Sequence, residues 1–456
     1  MFLSIILTVL VCYLSFTLSV EHTKLATGFE EFTPLPFQPP TPGTISSNVL
    51  ALSCEAKNSK CSAFLNALKR DYRTTPLSLV GSGQGTLVNV TFGDQNVFLK
   101  LSTATSDTWI VQEVFQCVNP LTSSDALDSS CGFGPAFEPT KSPTFERIAD
   151  ENFQMHYGRG DSVRGYFGYE NITLGGFTVK HQQVAVVDYA AWRGDNSSSG
   201  ILGLAYPPLT RAYRGTDYSN DDDSNRVKYD PIFTTIHKSG FVPAKFSIAI
   251  CRGDHSGGYL TLGGLPPGTP PKPKLVSTPI EVLKTDIPKY NYTDYSFYTV
   301  TVNEFLVSGP SALNSKDMIS EQHQKSWLNL ANLTDFQMIV DSGTTTLNLP
   351  TTIAKDINAS FDPPAVYSEK IQAYRVSCNA TAPEIGVRIA GHVFPVNPSD
   401  LIYTDTDGTC FSGVNDAGSG LNVLGLVFHR NAIVVYDVGA AEMQFATSEE
   451  FSVQGC

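Results

Sequence analysis

Charge is what this sequence has least of. Only 16% of its 456 residues are Asp, Glu, Lys or Arg, while 41% are hydrophobic. That balance excludes a mainly disordered chain and supplies enough apolar material for a sizeable core. Positive charge is the scarcer sign, with 31 Lys and Arg against 44 Asp and Glu and a net charge of −13 at pH 7. Neither nucleic acid nor an anionic membrane is therefore an expected partner. Few charges also mean little self-repulsion once carboxylates are protonated, which suits an acidic medium. No Cys-x-x-Cys pair occurs, and no metal or cofactor motif can be found, so no metal and no cofactor are expected. The stretch "GSGQG" at Gly81–Gly85 lacks the helix pattern that a phosphate loop needs. Past the N-terminus no apolar run is long enough to span a bilayer, and "EEFSVQGC" at the C-terminus is not a lipid-anchor signal.

The opening "MFLSIILTVLVCYLSFTLSVEH" is apolar and then meets small residues at Thr17 and Ser19. It reads as a secretory signal peptide over residues 1–19, although the usual basic start is missing. A secreted chain without a membrane anchor, working as a monomer, is the expectation. Eight of the nine cysteines remain after Cys12 leaves: Cys54, Cys61, Cys117, Cys131, Cys251, Cys378, Cys410 and Cys456. An even number in an oxidising compartment suggests four disulfides, with 105 pairings open. Seven Asn-x-Ser/Thr triplets also fit secretion: Asn89, Asn171, Asn196, Asn291, Asn332, Asn358 and Asn379. Such triplets also arise by chance, so occupancy is expected of the set rather than of any one.

Residues 20–76 differ in composition from the rest of the chain. "FTPLPFQPPTPGT" is proline-rich, and helical spacing comes next at Leu50, Leu52, Phe64, Leu65 and Leu68 up to Lys69-Arg70. The segment reads either as a propeptide with a dibasic processing site or as a retained extension. From Leu77 onward short β-type runs such as "TLVNVTF", "VFLKL", "FTVKHQQVAVV" and "AIVVYDV" alternate with turn residues. Helical patterns are few, such as "TTIAKDINASF" from Thr351. This predicts a mainly β protein, with an N-terminal lobe over 77–253 and a C-terminal lobe over 254–456.

Two stretches share a skeleton. "FLKLSTATSDTWIV" runs from Phe98 to Val111, and "FQMIVDSGTTTLNLP" from Phe336 to Pro350. Each has an apolar-apolar-Gly-apolar run downstream of it, Ile201-Leu202-Gly203-Leu204 and Val423-Leu424-Gly425-Leu426. Such a duplication predicts two related lobes whose polar turn tips face each other across a cleft. The second turn carries Asp341 and Gly343, where the first has Ser102 and Ala104.

From Leu77 to Ala446 the chain resembles the pepsin-like aspartic endopeptidases, especially secreted fungal ones. The resemblance rests on "SDTWIV", "YGRGDSVRGYFGYENITLGG", "SSGILGLAYPPLT", "KFSIAICRGDHSGGYLTLGGLPP", "IVDSGTTTLNLP" and "NVLGLVFHRNAIVVYDVGAAEMQFA". It implies a bilobal pepsin-like fold, two pseudo-twofold-related β-barrel-like lobes with a central cleft and a flap. In that family two aspartates hold one water and share one proton. One must be ionised to take a proton from water, and the other protonated to polarise the scissile carbonyl. By this resemblance Asp341 matches the second catalytic aspartate, and Ser342, Gly343 and Thr344 its turn. Tyr157 matches the flap tyrosine and Trp109 the tryptophan supporting it. Ser102 matches the first aspartate, Ala104 a turn glycine that a methyl group would crowd, and Thr105 a hydroxyl that bonds the missing acid. Arg159 and Leu426 also depart from the family pattern. Cys378–Cys410 matches the family's C-lobe disulfide, Cys117–Cys131 would close the loop after Trp109, and Cys54–Cys61 and Cys251–Cys456 remain by elimination.

These residues together describe a secreted protein that keeps the fold and cleft but is impaired in proteolysis, binding a peptide, another ligand or a protein partner. The alternatives are an acid endopeptidase using a substitute carboxylate, with Asp107 nearest in sequence, or a redirected enzyme. Asp107 is expected to face away from the axis. A nucleophilic Ser102 would need an adjacent base, and no motif links it to any of the eight histidines. Arg-Gly-Asp within Gly158–Ser162 is read as flap-turn composition rather than an adhesion signal.

Overall fold

The computed structural model describes residues 73–448 apart from positions 82, 159, 252–256, 271–272, 288–289, 291, 309–327, 330–334 and 406. The signal segment 1–19, the extension up to residue 72, the Cys54–Cys61 pair, Cys456, Arg159, Asn291 and Asn332 therefore lie outside the described residues. Within them the chain is mainly β, as predicted. The first strands are β1 (Arg73–Val80), β2 (Gly85–Phe92), β3 (Gln95–Ser102), β4 (Trp109–Val118), β5 (Glu146–His156), β6 (Ser162–Leu174), β7 (Phe177–Ala191) and β8 (Gly200–Gly203).

Local sequence explains the hairpins. β6 ends at Leu174, which faces Phe177 across Gly175 and Gly176. Both glycines have positive φ, 58° and 83°, the two-residue turn whose twist matches that of its strands. β3 alternates from Val97 to Leu101, with Val97, Leu99 and Leu101 buried, the period-2 pattern of a strand laid on a core.

The longest-range feature is one fifteen-stranded sheet. β1 pairs with Gly258–Leu262, which pairs with Lys245–Ala249, which pairs in turn with Ala432–Asp437. The first described strand and nearly the last are thus parts of one layer. The 253/254 position proposed to divide the lobes falls between two of its paired strands, so this layer belongs to both halves. Phe246 and Tyr436 stack at 4.5 Å beneath it, with Tyr298 edge-on to Tyr436 at 4.7 Å. Aromatic pairs in these geometries add about 0.5–1.5 kcal/mol each beyond their buried area. The second half of the chain adds three smaller sheets and the helix Thr351–Ala359, where the sequence pattern placed one.

The two related stretches build the same motif. β3 runs parallel to β8, pairing Leu101 with Leu202 and Ser102 with Gly203, while β4 runs antiparallel to β8. In the second half Phe336–Val340 runs parallel to Val423–Leu424, and Leu347–Leu349 runs antiparallel to it. Each turn therefore leaves one strand, passes over an intervening strand and enters the next.

Two of the expected disulfides form, Cys378–Cys410, implied by the resemblance, at 2.04 Å, and Cys117–Cys131, closing the loop after Trp109, at 2.12 Å. Among the described residues no helix is long and apolar enough to cross a membrane.

Candidate functional site

The two turn tips meet. The backbone drives this: β3 and Phe336–Val340 each bring a buried apolar residue to the turn, Leu101 and Val340, whose carbonyl is left for the opposite turn. Thr103 Oγ1 donates to the Val340 carbonyl at 2.9 Å, and Ser342 Oγ donates to the Leu101 carbonyl at 3.2 Å. Ser342 N–H donates back to Thr103 Oγ1 at 3.1 Å. The three hydroxyl and amide bonds cross the axis, and all their side chains are buried.

At the centre lies Asp341, 5% exposed, facing Ser102, 6% exposed. Ser102 Oγ is 3.2 Å from Asp341 Oδ1, a direct contact. The same carboxylate oxygen accepts from the backbone amides of Thr103 (3.1 Å), Ala104 (3.1 Å) and Gly343 (2.8 Å). Asp341 Oδ2 accepts from Thr344 Oγ1 at 2.7 Å. Ser102 Oγ also lies 3.2 Å from Thr105 Oγ1 and accepts from Ala104 N–H at 3.3 Å. Ser102, Thr105, Asp341, Gly343 and Thr344 are thus brought together.

Ala104 is partly buried against the apolar cluster that includes Leu209, Leu283 and Phe297, and its amide reaches Asp341. The opposite turn is tightly packed. A Cβ added at Gly343 would lie 2.7 Å from both Cβ and Oγ of Ser102, so no side chain fits there without displacement.

Above the turns, the β5–β6 hairpin carries Tyr157, whose hydroxyl accepts from Trp109 Nε1 at 2.7 Å. Burial holds the Tyr157 phenol well above its ordinary range, so it stays protonated. Trp192 stands edge-on to both Trp109 and Tyr157 at 5.3 Å. Nothing local in the sequence signalled Trp192, which reaches the hairpin only because β7 ends beside β4. Asp161 of the Arg-Gly-Asp triplet is bonded to Arg193 at 2.9 Å, which agrees with a structural turn.

Asp107 sits fully buried and turned away from Asp341. Its carboxylate accepts from Arg211 N–H at 3.1 and 3.0 Å and from Tyr229 Oη at 2.6 Å. Burial pushes its pKa up to about 6, against the lowering effect of the Tyr229 bond. Sequence reasoning also missed Thr103, and His429 with Tyr436 below it. His429 is 1% exposed, and its Nε2 lies 2.8 Å from Tyr436 Oη, itself 3.3 Å from Thr103 Oγ1. The Ser102 hydroxyl is turned to Thr105 and Asp341 rather than to a histidine.

Of the glycosylation triplets, Asn196 and Asn379 are exposed and Asn171 half-buried. Asn358 is buried and its Nδ2 donates to the Ala354 and Val414 carbonyls at 2.8 and 3.1 Å; the folded chain has no room for a glycan there. Asn89 is half-buried, with its Nδ2 enclosed. Cys251 is disulfide-bonded.

The family model described as eukaryotic aspartyl protease matches residues 86–448. A probable aspartic-type endopeptidase of Aspergillus fumigatus is 38% identical over 86% of this chain and 84% of its own length. Gastricsin of Oryctolagus cuniculus is 26% identical over 84% of this chain and 89% of that relative. Among solved structures, the aspartic proteinase from Irpex lacteus superposes with a TM-score of 0.59 at 16% identity, covering 84% of this chain and 99% of that one.

Proposed function

Because the chain belongs to the eukaryotic aspartyl protease family, we propose that it is a secreted pepsin-fold protein whose cleft binds an extended peptide or protein segment without cleaving it. The observation that carries this reading is the pairing of one carboxyl with one hydroxyl. Asp341 and Ser102 occupy matching positions on twin turns, 3.2 Å apart, and this supports reading Ser102 as the position of the pair's first acid. Peptide hydrolysis by this fold needs one carboxyl to take a proton from water and another to give one to the carbonyl. A serine hydroxyl does neither near neutral or acid pH. Losing one member of such a unit costs on the order of 10⁴-fold in rate or more.

The substitute-acid reading draws no support from Asp107, whose oxygens are bonded to Arg211 and Tyr229 rather than aimed at Asp341. Binding, by contrast, needs what remains: the flap hairpin with Tyr157 locked to Trp109, and the apolar cluster of Leu209, Leu283 and Phe297 beside Ala104. The secretory reading is supported by the apolar N-terminal stretch and by disulfides such as Cys117–Cys131 and Cys378–Cys410. The test is incubation with an unstructured protein from pH 2 to 7, with and without a statine-type inhibitor. No inhibitor-sensitive cleavage is expected; robust cleavage that the inhibitor abolishes would overturn the reading.

A further inference from the structure

Beneath the cleft floor a buried hydrogen-bonded line leads from the turns to a histidine that the reaction has no use for. His429 ends the short helix Leu426–His429. Its Nδ1 lies 2.9 Å from the Gly425 carbonyl. A carbonyl can only accept, so Nδ1 carries the hydrogen and the neutral ring presents Nε2 as an acceptor. Tyr436 Oη, 2.8 Å from Nε2, must then donate to it. Thr103 Oγ1 has a single proton, which is committed to the Val340 carbonyl at 2.9 Å. The 3.3 Å contact between Tyr436 Oη and Thr103 Oγ1 is therefore left without a proton while His429 is neutral.

Adding a proton to His429 reverses its bond with Tyr436 and gives the Tyr436–Thr103 contact a proton, while the Thr103–Val340 bond keeps its direction. Nε2 becomes a donor, Tyr436 Oη must accept from it, and the tyrosine proton turns to Thr103 Oγ1. The line then runs in one direction, from His429 through Tyr436 and Thr103 to the carbonyl of Val340, the residue before Asp341. Chains of aligned hydrogen bonds strengthen one another. We propose that His429 is a positioning residue of the cleft floor: its neutral ring sets one hydrogen-bond direction, its protonation in acid reverses it, and the tie between the two turns becomes pH-dependent.

The charged groups around the line are few. Asp341, above Thr103, favours the charged ring. Tyr298 packs on Tyr436 but donates to the Leu204 carbonyl at 2.7 Å. Arg430, next along the chain, is directed to Asp400 and the Gly83 carbonyl. Asp437 is paired with Lys245 at 2.6 Å. Burial lowers the His429 pKa, opposed by the Gly425 bond and by Asp341. The ring is thus neutral at neutral pH, and its reversal belongs to the acid range.

Two measurements on the full chain test this. In NMR titrations the amides of Thr103, Ser342 and Asp341 should shift together with the His429 ring. In Tyr436→Phe, which keeps the ring but breaks the line, they should no longer follow it. The affinity for a statine-type peptide, measured by calorimetry, should differ between the native chain and His429→Leu by a ratio that changes at least about threefold between neutral and acid pH. A ratio constant with pH, or amides that follow the ring equally well in Tyr436→Phe, would overturn the proposal. The affinity arm alone rests on the peptide-binding reading: if the native chain binds no statine peptide while the amides still follow the ring, that reading fails and this one stands.

Discussion

Asp107 and His429 are both buried and respond to acid in opposite senses. The folded Asp107 carboxyl takes up a proton near pH 6, whereas an unfolded one does so near 3.8. Between those values the folded state holds more protons, so this group's contribution to stability falls as pH rises and stays low above about 6. His429, with its pKa lowered by burial, does the reverse and weakens the fold as pH drops below the ordinary histidine range. Asp107→Asn should remove the first slope, on the order of 2–3 kcal/mol across the window. Urea midpoints from pH 4 to 7.5 measure it; curves for the two proteins that run parallel would contradict it. The sequence showed that Asp107 precedes Thr108 and Trp109 and should turn from the axis. It did not show the burial, because Arg211 and Tyr229 arrive from more than a hundred residues downstream.

At the scale of elements, the two strand–turn–strand motifs depend on a glycine in or beside each intervening strand. A Cβ at Gly203 would lie 2.6 Å from the backbone of Ser106 and Asp107, and one at Gly425 2.2 Å from the Thr346 carbonyl. Neither neighbour is a flexible side-chain end that could move aside. Gly203→Ala and Gly425→Ala should therefore each cost about 1–3 kcal/mol or more, read from denaturant midpoints. Losses below about 1 kcal/mol would show that the turns yield. These elements were legible because the repeated Leu-Gly run encodes a local steric demand. The flap hairpin was legible only through the family resemblance. Trp192, which closes the aromatic contact with Tyr157, was not, since only strand pairing brings it there.

For the whole molecule, strands from both ends of the described chain share one sheet, and Thr103 and Ser342 reach across to each other's turns. Two lobes and a cleft could be read from the internal repeat. The shared layer could not, because pairing of β1 with Gly258–Leu262 and of Lys245–Ala249 with Ala432–Asp437 is non-local and leaves no signature in any one segment. The centre itself was legible at the level of residue types: Asp341 in one turn, Ser102 in the other. Its hydrogen-bond pattern, and the line descending to His429, required the fold.

The proposed loss of proteolysis stands on a missing second acid, and the most direct measurement is to restore it. The Ser102→Asp, Ala104→Gly variant should cleave an unstructured protein in acid at a rate on the order of 10⁴-fold above the native chain, in a statine-sensitive manner. Equal rates for the two proteins, with the native chain already active, would contradict it.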